Sequence, residues 1–374
     1  MISPLSVTVL TGVPGTNGVR SFQQIQNDVD GLRVTALVPW GGRKKTRSKS
    51  GVSLLQTTER FKRLGKGCAC CTVRSDVMSK IRRIVDQQTA DHVLIQIPPK
   101  SDLDALAKTF TVPDEEGLIL ADVARIESVV TVVDGRTLQS TLAAATARLL
   151  IERIEVADMI LLEGTGDLAS DTQHQIMSAI NALNPQARIV RSTDGSVSLS
   201  SLRAQPRDEQ RVDDAQTRGL NPLGSASNAS QSSARFAYRE RTPFHPGRLH
   251  ELISQPWSGV LRVQGTFWVA SRPDLVGTVD IAGNSSSTSC RGLWWATVPQ
   301  EKRPATAAFK EYVDGIWHPD FGDRHQEIVV IGLGLDEPTL RRQLDACLLT
   351  EDELATPDNW SALPHPFPWP QASA

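Results

Sequence analysis

The chain has 374 residues, 22% of them charged and 40% hydrophobic, and carries a formal net charge of -2. That length suits two domains, and the near-neutral balance excludes the global basic field of a nucleic-acid binder and the acidic excess of a solvating tail. No apolar run approaches the roughly 18 residues that a membrane helix needs, and the opening MISPLSVTVLTG lacks the basic-then-apolar pattern of a secretory signal. A cytoplasmic protein is therefore expected. In that compartment clustered cysteines serve metals or redox chemistry more often than structural disulfides.

The first two hundred residues alternate strand-like and helix-like patterns. SVTVLTG, RVTALVP, DHVLIQIPP, SVVTVVDG, ADMILLEG and ARIVRS read as short buried strands. RSDVMSKIRRIVDQQ places Val77, Ile81, Ile84 and Val85 on one helical stripe, and QHQIMSAINALNP is a second helix that stops at Asn184-Pro185. Such alternation predicts an α/β unit, a mostly parallel sheet with helices on both faces.

The turn after the first strand, GVPGTNGVR, stands where a phosphate-cradling loop belongs. Gly12 fills the first glycine position of that pattern. The second falls at Asn17, the lysine at Gly18 and the hydroxyl residue at Val19, so the groups for the β/γ-phosphates and magnesium are missing. Gly15 and Gly18 still let backbone amides approach an anion. The turn is thus either a plain strand-to-helix connection or a residual nucleotide or anion site.

The run Gly41–Gly51, GGRKKTRSKSG, reads as a solvated basic loop or as an electrostatic contact for an acidic partner. Gly67–Thr72, GCACCT, then holds three of the five cysteines. Cys68, Cys70 and Cys71 are soft thiolate ligands suited to zinc, Cu(I) or iron. Three thiolates leave a fourth position open, which a closed structural zinc site would fill and a carrier needs for handing its metal on. A helix beginning just after the loop, capped by Thr72 or Ser75 and flanked by Lys66 and Arg74, would favour the thiolate form. A redox pair and a reduced packed cluster are the alternatives.

Residues 204–234 are rich in Ser, Gln, Asn and Gly and nearly devoid of apolar side chains, the composition of a flexible linker. The expected organisation is a domain over 1–203, this linker, and a second, smaller α+β domain over 235–370. The second domain holds seven of the eight tryptophans, the strands GVLRVQGTFWVAS and QEIVVIGLG, and a closing helix EPTLRRQLDACLL containing Cys347 as a core residue. Trp268, Trp294 and Trp295 are expected in its core or in an aromatic partner surface. His245 and His250 flank a helix start with Pro246 at its first position, and His318 and His325 sit near acidic residues. Cap and loop roles suit these histidines better than ligation, because no ligand-like spacing connects them. Cys290 receives no role.

Together these motifs resemble the CobW-like family of P-loop GTPases and metallochaperones. VTVLTG is similar to the family's P-loop strand, GCACCT to its Gly-Cys-x-Cys-Cys-Thr motif, and SVVTVVD and IEVADMILLEGTGDL to its next blocks. YRERTPFHPGRLHELI, GVLRVQGTFWVASRPD, WWATVP, RHQEIVVIGLGLDEPTLRRQLDACLLTEDEL and PFPWP extend the likeness through the second domain in the same order. The resemblance implies a P-loop-like sheet domain and a CobW-type C-terminal domain. It further implies a transition metal (iron, cobalt or zinc) held by Cys68, Cys70 and Cys71, and delivery to a client metalloenzyme. It also implies GTP with magnesium, yet the P-loop is degenerate, Gln96 replaces an acidic residue, and the guanine-reading Asn-Lys-x-Asp falls at Glu163–Asp167, where only Asp167 could serve. The expectation is a metallochaperone or activator that has lost the GTPase cycle. The leading client is a nitrile hydratase-type enzyme taking iron or cobalt; zinc homeostasis and GTP hydrolysis with an atypical loop are the alternatives. No nucleic-acid or membrane partner is expected.

Overall fold

The computed structural model describes residues 4–12, 25–26, 28–29, 31–38, 52–56, 69–97, 110–111, 113, 117, 119–144, 147–192, 197–203 and 235–369. Two compact units emerge, Met1–Thr141 with Glu152–Arg211, and Leu142–Ile151 with Val212–Ala374.

The first unit runs β1 (Leu5–Gly12), β2 (Ile25–Gln26), β3 (Val34–Val38), β4 (Val52–Gln56), α1 (Ala69–Asp86), β5 (His92–Gln96) and β6 (Ala124–Asp134). The chain continues through α2 (Leu138–Leu142), α3 (Ala147–Val156, whose residues up to Ile151 group with the second unit), β7 (Met159–Glu163), α4 (Ser170–Leu183), β8 (Arg188–Arg191), β9 (Val197–Ser198) and the short α5 (Leu199–Leu202). Seven strands form one sheet in the order β4-β3-β5-β1-β6-β7-β8, every pairing parallel. Buried strands of this kind read as continuous apolar runs, because both faces are covered. Alternate residues of one strand accordingly enter different cores. Val93 and Ile95 join Val7, Val9 and the α1 residues Val77, Ile81 and Ile84, whereas Leu94 joins Leu10, Ala36, Val130, Leu161 and the α5 residues Leu199 and Leu202.

The six strands read from sequence are all present, and β4 is an addition at the sheet edge. At five residues, directly after the basic run, VSLLQ offers too short a pattern to separate from a loop. The residues Gly41–Gly51 themselves lie outside the described set.

The second unit contains β10 (Arg235–Glu240), α6 (Pro246–Ser254), β11 (Val260–Val269), β12 (Arg272–Ala282), β13 (Ser285–Leu293), α7 (Ala307–Ile316), β14 (Gln326–Gly332), α8 (Glu337–Asp345) and α9 (Glu351–Leu354). Its sheet is antiparallel in the order β10-β14-β11-β12-β13. The late strand β14 inserts between the two earliest. Its side chains are buried on both faces, Ile328 and Val330 on one and Val329 and Ile331 on the other, and its backbone pairs on both sides. The closing segment packs back on this sheet. Phe367 and Trp369 stack at 4.9 Å and lie against Phe267, and Gly277 makes room for them, since a Cβ there would sit 2.6 Å from the Trp369 ring. The β10 edge is blocked by Arg341 of α8, which donates to the Ala237 carbonyl at 2.9 Å and covers the Phe236 ring. A cation laid on a strand edge discourages pairing with another chain.

Candidate functional site

An open parallel sheet places its ligand crevice at the carboxyl ends of its strands, where the chain order reverses. Here the reversal is at β1, with β5 on one side and β6 on the other. Gly12 ends β1 and pairs with Val132, two residues before Asp134 at the end of β6. Gln96 ends β5, and Asp134 is in register with Glu163 at the end of β7. Gly15 and Gly18 lie outside the described residues.

The β6 and β7 ends are joined by specific bonds. The Gly135 N–H donates to the Glu163 carbonyl at 2.8 Å, and the Arg136 N–H donates to Asp134 Oδ1 at 3.0 Å. That bond fixes the turn so that the Arg136 guanidinium reaches Asp167 Oδ2 at 3.2 Å. Gly164 adopts φ +68°, and a Cβ there would stand 2.8 Å from Asp134 Oδ1. Asp167 thus lies in the turn beyond the carboxyl end of β7, and beside it stands Arg136, which sequence reading did not single out. Nothing in the sequence connects residues 31 positions apart; only the adjacency of β6 and β7 does.

Of the three motif cysteines, Cys68 lies outside the described residues. Cys70 and Cys71 are the second and third residues of α1, not a loop before it. Thr72 and Ser75 are consequently interior helix positions and not its cap. No glycine or proline separates Ala69 from Asp86 to stop the helix from starting there. The first turn of α1 carries no acidic side chain, so its partial positive charge meets no competing carboxylate on the helix itself.

The other candidates have local structural partners. His245 caps α6, its Nδ1 accepting from the Arg248 N–H at 3.2 Å, with Pro246 at the helix start. Burial holds its pKa below the usual histidine value. The His250 ring meets Phe367 edge-on. His318 accepts from the Asp320 N–H and stacks on Phe321, and His325 lies 2.7 Å from the Asp323 carbonyl and against Trp294. Trp268 and Trp294 are buried, as expected, while Trp295 is half-buried against Phe309. Cys347 lies just past the end of α8 and is buried, its thiol pushed up to about 11 by desolvation, which makes it a poor nucleophile or ligand. Cys290 is half-buried on β13. Among the described residues no group of three or more His, Cys, Asp or Glu side chains is arranged to hold a metal. None of the described helices is long and apolar enough to cross a membrane.

Residues 41–191 match the nucleotide-binding domain model shared by CobW, HypB and UreG, and residues 233–348 match the C-terminal domain model of the cobalamin synthesis protein CobW. The chain belongs to the CobW family. This CobW-family chain is 28% identical over 389 residues to a zinc-regulated GTPase metalloprotein activator of Dictyostelium discoideum, the match covering 94% of the chain and 81% of that protein. It is also 28% identical over 345 residues to a zinc chaperone of Mycobacterium tuberculosis, covering 87% of the chain and 83% of the relative. Among solved structures, the Zn(II)-bound YjiA GTPase of E. coli aligns over 93% of the chain and 100% of its own, with 15% identity and a TM-score of 0.42. The family is thus one of metallochaperones and GTPases whose relatives of this chain are linked to zinc.

Proposed function

We propose that this chain is a zinc metallochaperone. Cys68, Cys70 and Cys71 hold the ion as thiolates, and a client protein takes it by entering the open fourth position. The observation that carries this reading is the intact GCACCT run at the start of α1, beside nucleotide motifs that have decayed. A helix N-terminus lowers thiol pKa values, and three soft ligands without a fourth suit transfer better than permanent storage. The names of the relatives favour zinc as cargo over the iron or cobalt that a nitrile hydratase activator would carry. On this reading the segment 204–234 is a linker between the metal-carrying domain and a client-recognising domain over 235–370.

The test is an anaerobic titration of the reduced protein with Co(II), read by absorption, next to the variant with all three cysteines changed to serine. Thiolate-to-cobalt charge-transfer bands that saturate at one equivalent, vanish in the variant and are displaced by Zn(II) but not by Fe(II) are expected. Bands that persist in the variant, or a wild-type protein without them, would overturn the assignment.

A further inference from the structure

We propose that β13 is the strand through which two copies of this chain associate, each pairing antiparallel with its counterpart so that the two five-stranded sheets become one. That contact lies in the second unit and does not depend on the cysteine site. A sheet edge offers a row of unpaired backbone N–H and C=O groups, and proteins guard such rows with charges, prolines or a covering element. The two edges of this sheet differ in that respect. β10 carries Arg341 across it, bonded to the Ala237 carbonyl. β13 pairs with β12 on one side and, among the described residues, with no strand on the other. Its run Ser285–Cys290 contains no proline and no charged residue, and it keeps regular register with β12. Ser286, Ser287 and Ser289 are exposed. The register shifts only beyond Cys290, where Gly292 has φ +134°, and that bulge sets the far limit of the pairable stretch.

The side chains of β13 favour a second copy as the occupant. Strand addition gains its specificity from pockets that read alternate side chains of the incoming strand, and SSSTS offers only hydroxyl groups for that purpose. The run is instead complementary to itself. A two-fold axis normal to the sheet keeps each face on its own side, so the residues opposed across it must be an even number of positions apart in sequence. An axis at Thr288 sets Thr288 against its own counterpart, Ser287 against the second copy's Ser289, Ser286 against its Cys290 and Ser285 against its Arg291. No like charges meet. Hydroxyls face hydroxyls, as Thr278 and Ser289 already do at 2.6 Å across β12 and β13. Arg148, which reaches Ser287, is balanced by Asp280 at 2.7 Å. An axis at Ser287 would instead draw in Asn284, a turn residue that already donates to the Ala143 carbonyl.

A short strand pair lies at the low end of interface sizes, so a concentration-dependent dimer with a Kd on the order of 10 μM is expected. The experiment is sedimentation velocity of the reduced full chain up to about 200 μM, well above that Kd. Thr288→Glu, which would set two carboxylates face to face, should weaken the dimer by about tenfold or more. Thr288→Ser should leave it within about twofold of wild type. Melting temperatures check the folding of both variants. A second arm reads the register in a background with Cys68, Cys70 and Cys71 changed to serine. There Ser286→Cys should give a disulfide-linked dimer through the second copy's Cys290 under mild oxidant, and Ser285→Cys, on the opposite face, should not. A full chain that stays monomeric, the result if the edge serves a different protein's strand, would overturn the proposal. So would a dimer as tight in Thr288→Glu as in wild type, or equal cross-linking by the two cysteine variants, which decides the matter even if Thr288→Glu does not fold.

Discussion

His92 is the buried polar residue with the clearest measurable consequence. It opens β5, has no solvent exposure, and meets Thr8 through Nε2 at 3.1 Å, while its Nδ1 has no hydrogen-bond partner among the described residues. Desolvation, with a smaller contribution from the nearby Arg203 charge, lowers its pKa to about 4. The folded state thus keeps the ring neutral, whereas the unfolded chain takes up a proton near pH 6.5. Stability from this residue is fully present above that pH and is lost as the pH falls toward about 4, by about 3 kcal/mol in total. Urea unfolding of the first unit should show that loss between pH 7.5 and 4.5, and His92→Gln should flatten it. An equal pH dependence in the variant would assign the effect to other groups.

At the scale of elements, one helix end is tied to another by a side chain that finishes a helix. Asn184, the residue after α4, donates from Nδ2 to the carbonyls of Ile154, Glu155 and Ala157, at 2.8, 3.2 and 2.8 Å. These carbonyls lie at and just past the end of α3, where helical N–H donors run out, although the Ile154 carbonyl also accepts from the Ala157 N–H at 3.3 Å. Asn184→Ala should therefore cost about 2 kcal/mol, seen as a lower urea midpoint at unchanged slope. A midpoint equal to wild type would mean that water replaces the amide. The starting point of α1 is likewise an element property. Its start at Ala69 puts Cys70 and Cys71 on helical backbone in the first turn.

At the scale of the whole molecule, metal handling and nucleotide handling are expected to be uncoupled. Phosphoryl transfer needs charge stabilisation at the β/γ-oxygens, and GVPGTNGVR supplies no lysine for it. Adding GTP with magnesium should change the zinc affinity of the full chain by less than about fivefold, the lower end of typical coupling between sites. A larger change would restore a nucleotide-timed release step to the mechanism.

The sequence by itself determined the local elements. Apolar runs such as HVLIQ and MILLE mark buried strands because both faces of a parallel sheet exclude water, and Val77, Ile81 and Ile84 fix the buried side of α1. GCACCT places three thiols at short spacing, and the missing lysine is a plain fact of the sequence. Tertiary structure decided what depends on neighbours distant in sequence. The insertion of β14 between β10 and β11, the addition of β4 at the edge, and the meeting of Arg136 with Asp167 all arise from strand order. Strand order follows from which apolar faces can be covered together. No residue pattern along the chain carries that information, because each strand is compatible with several neighbours until the cores close around it.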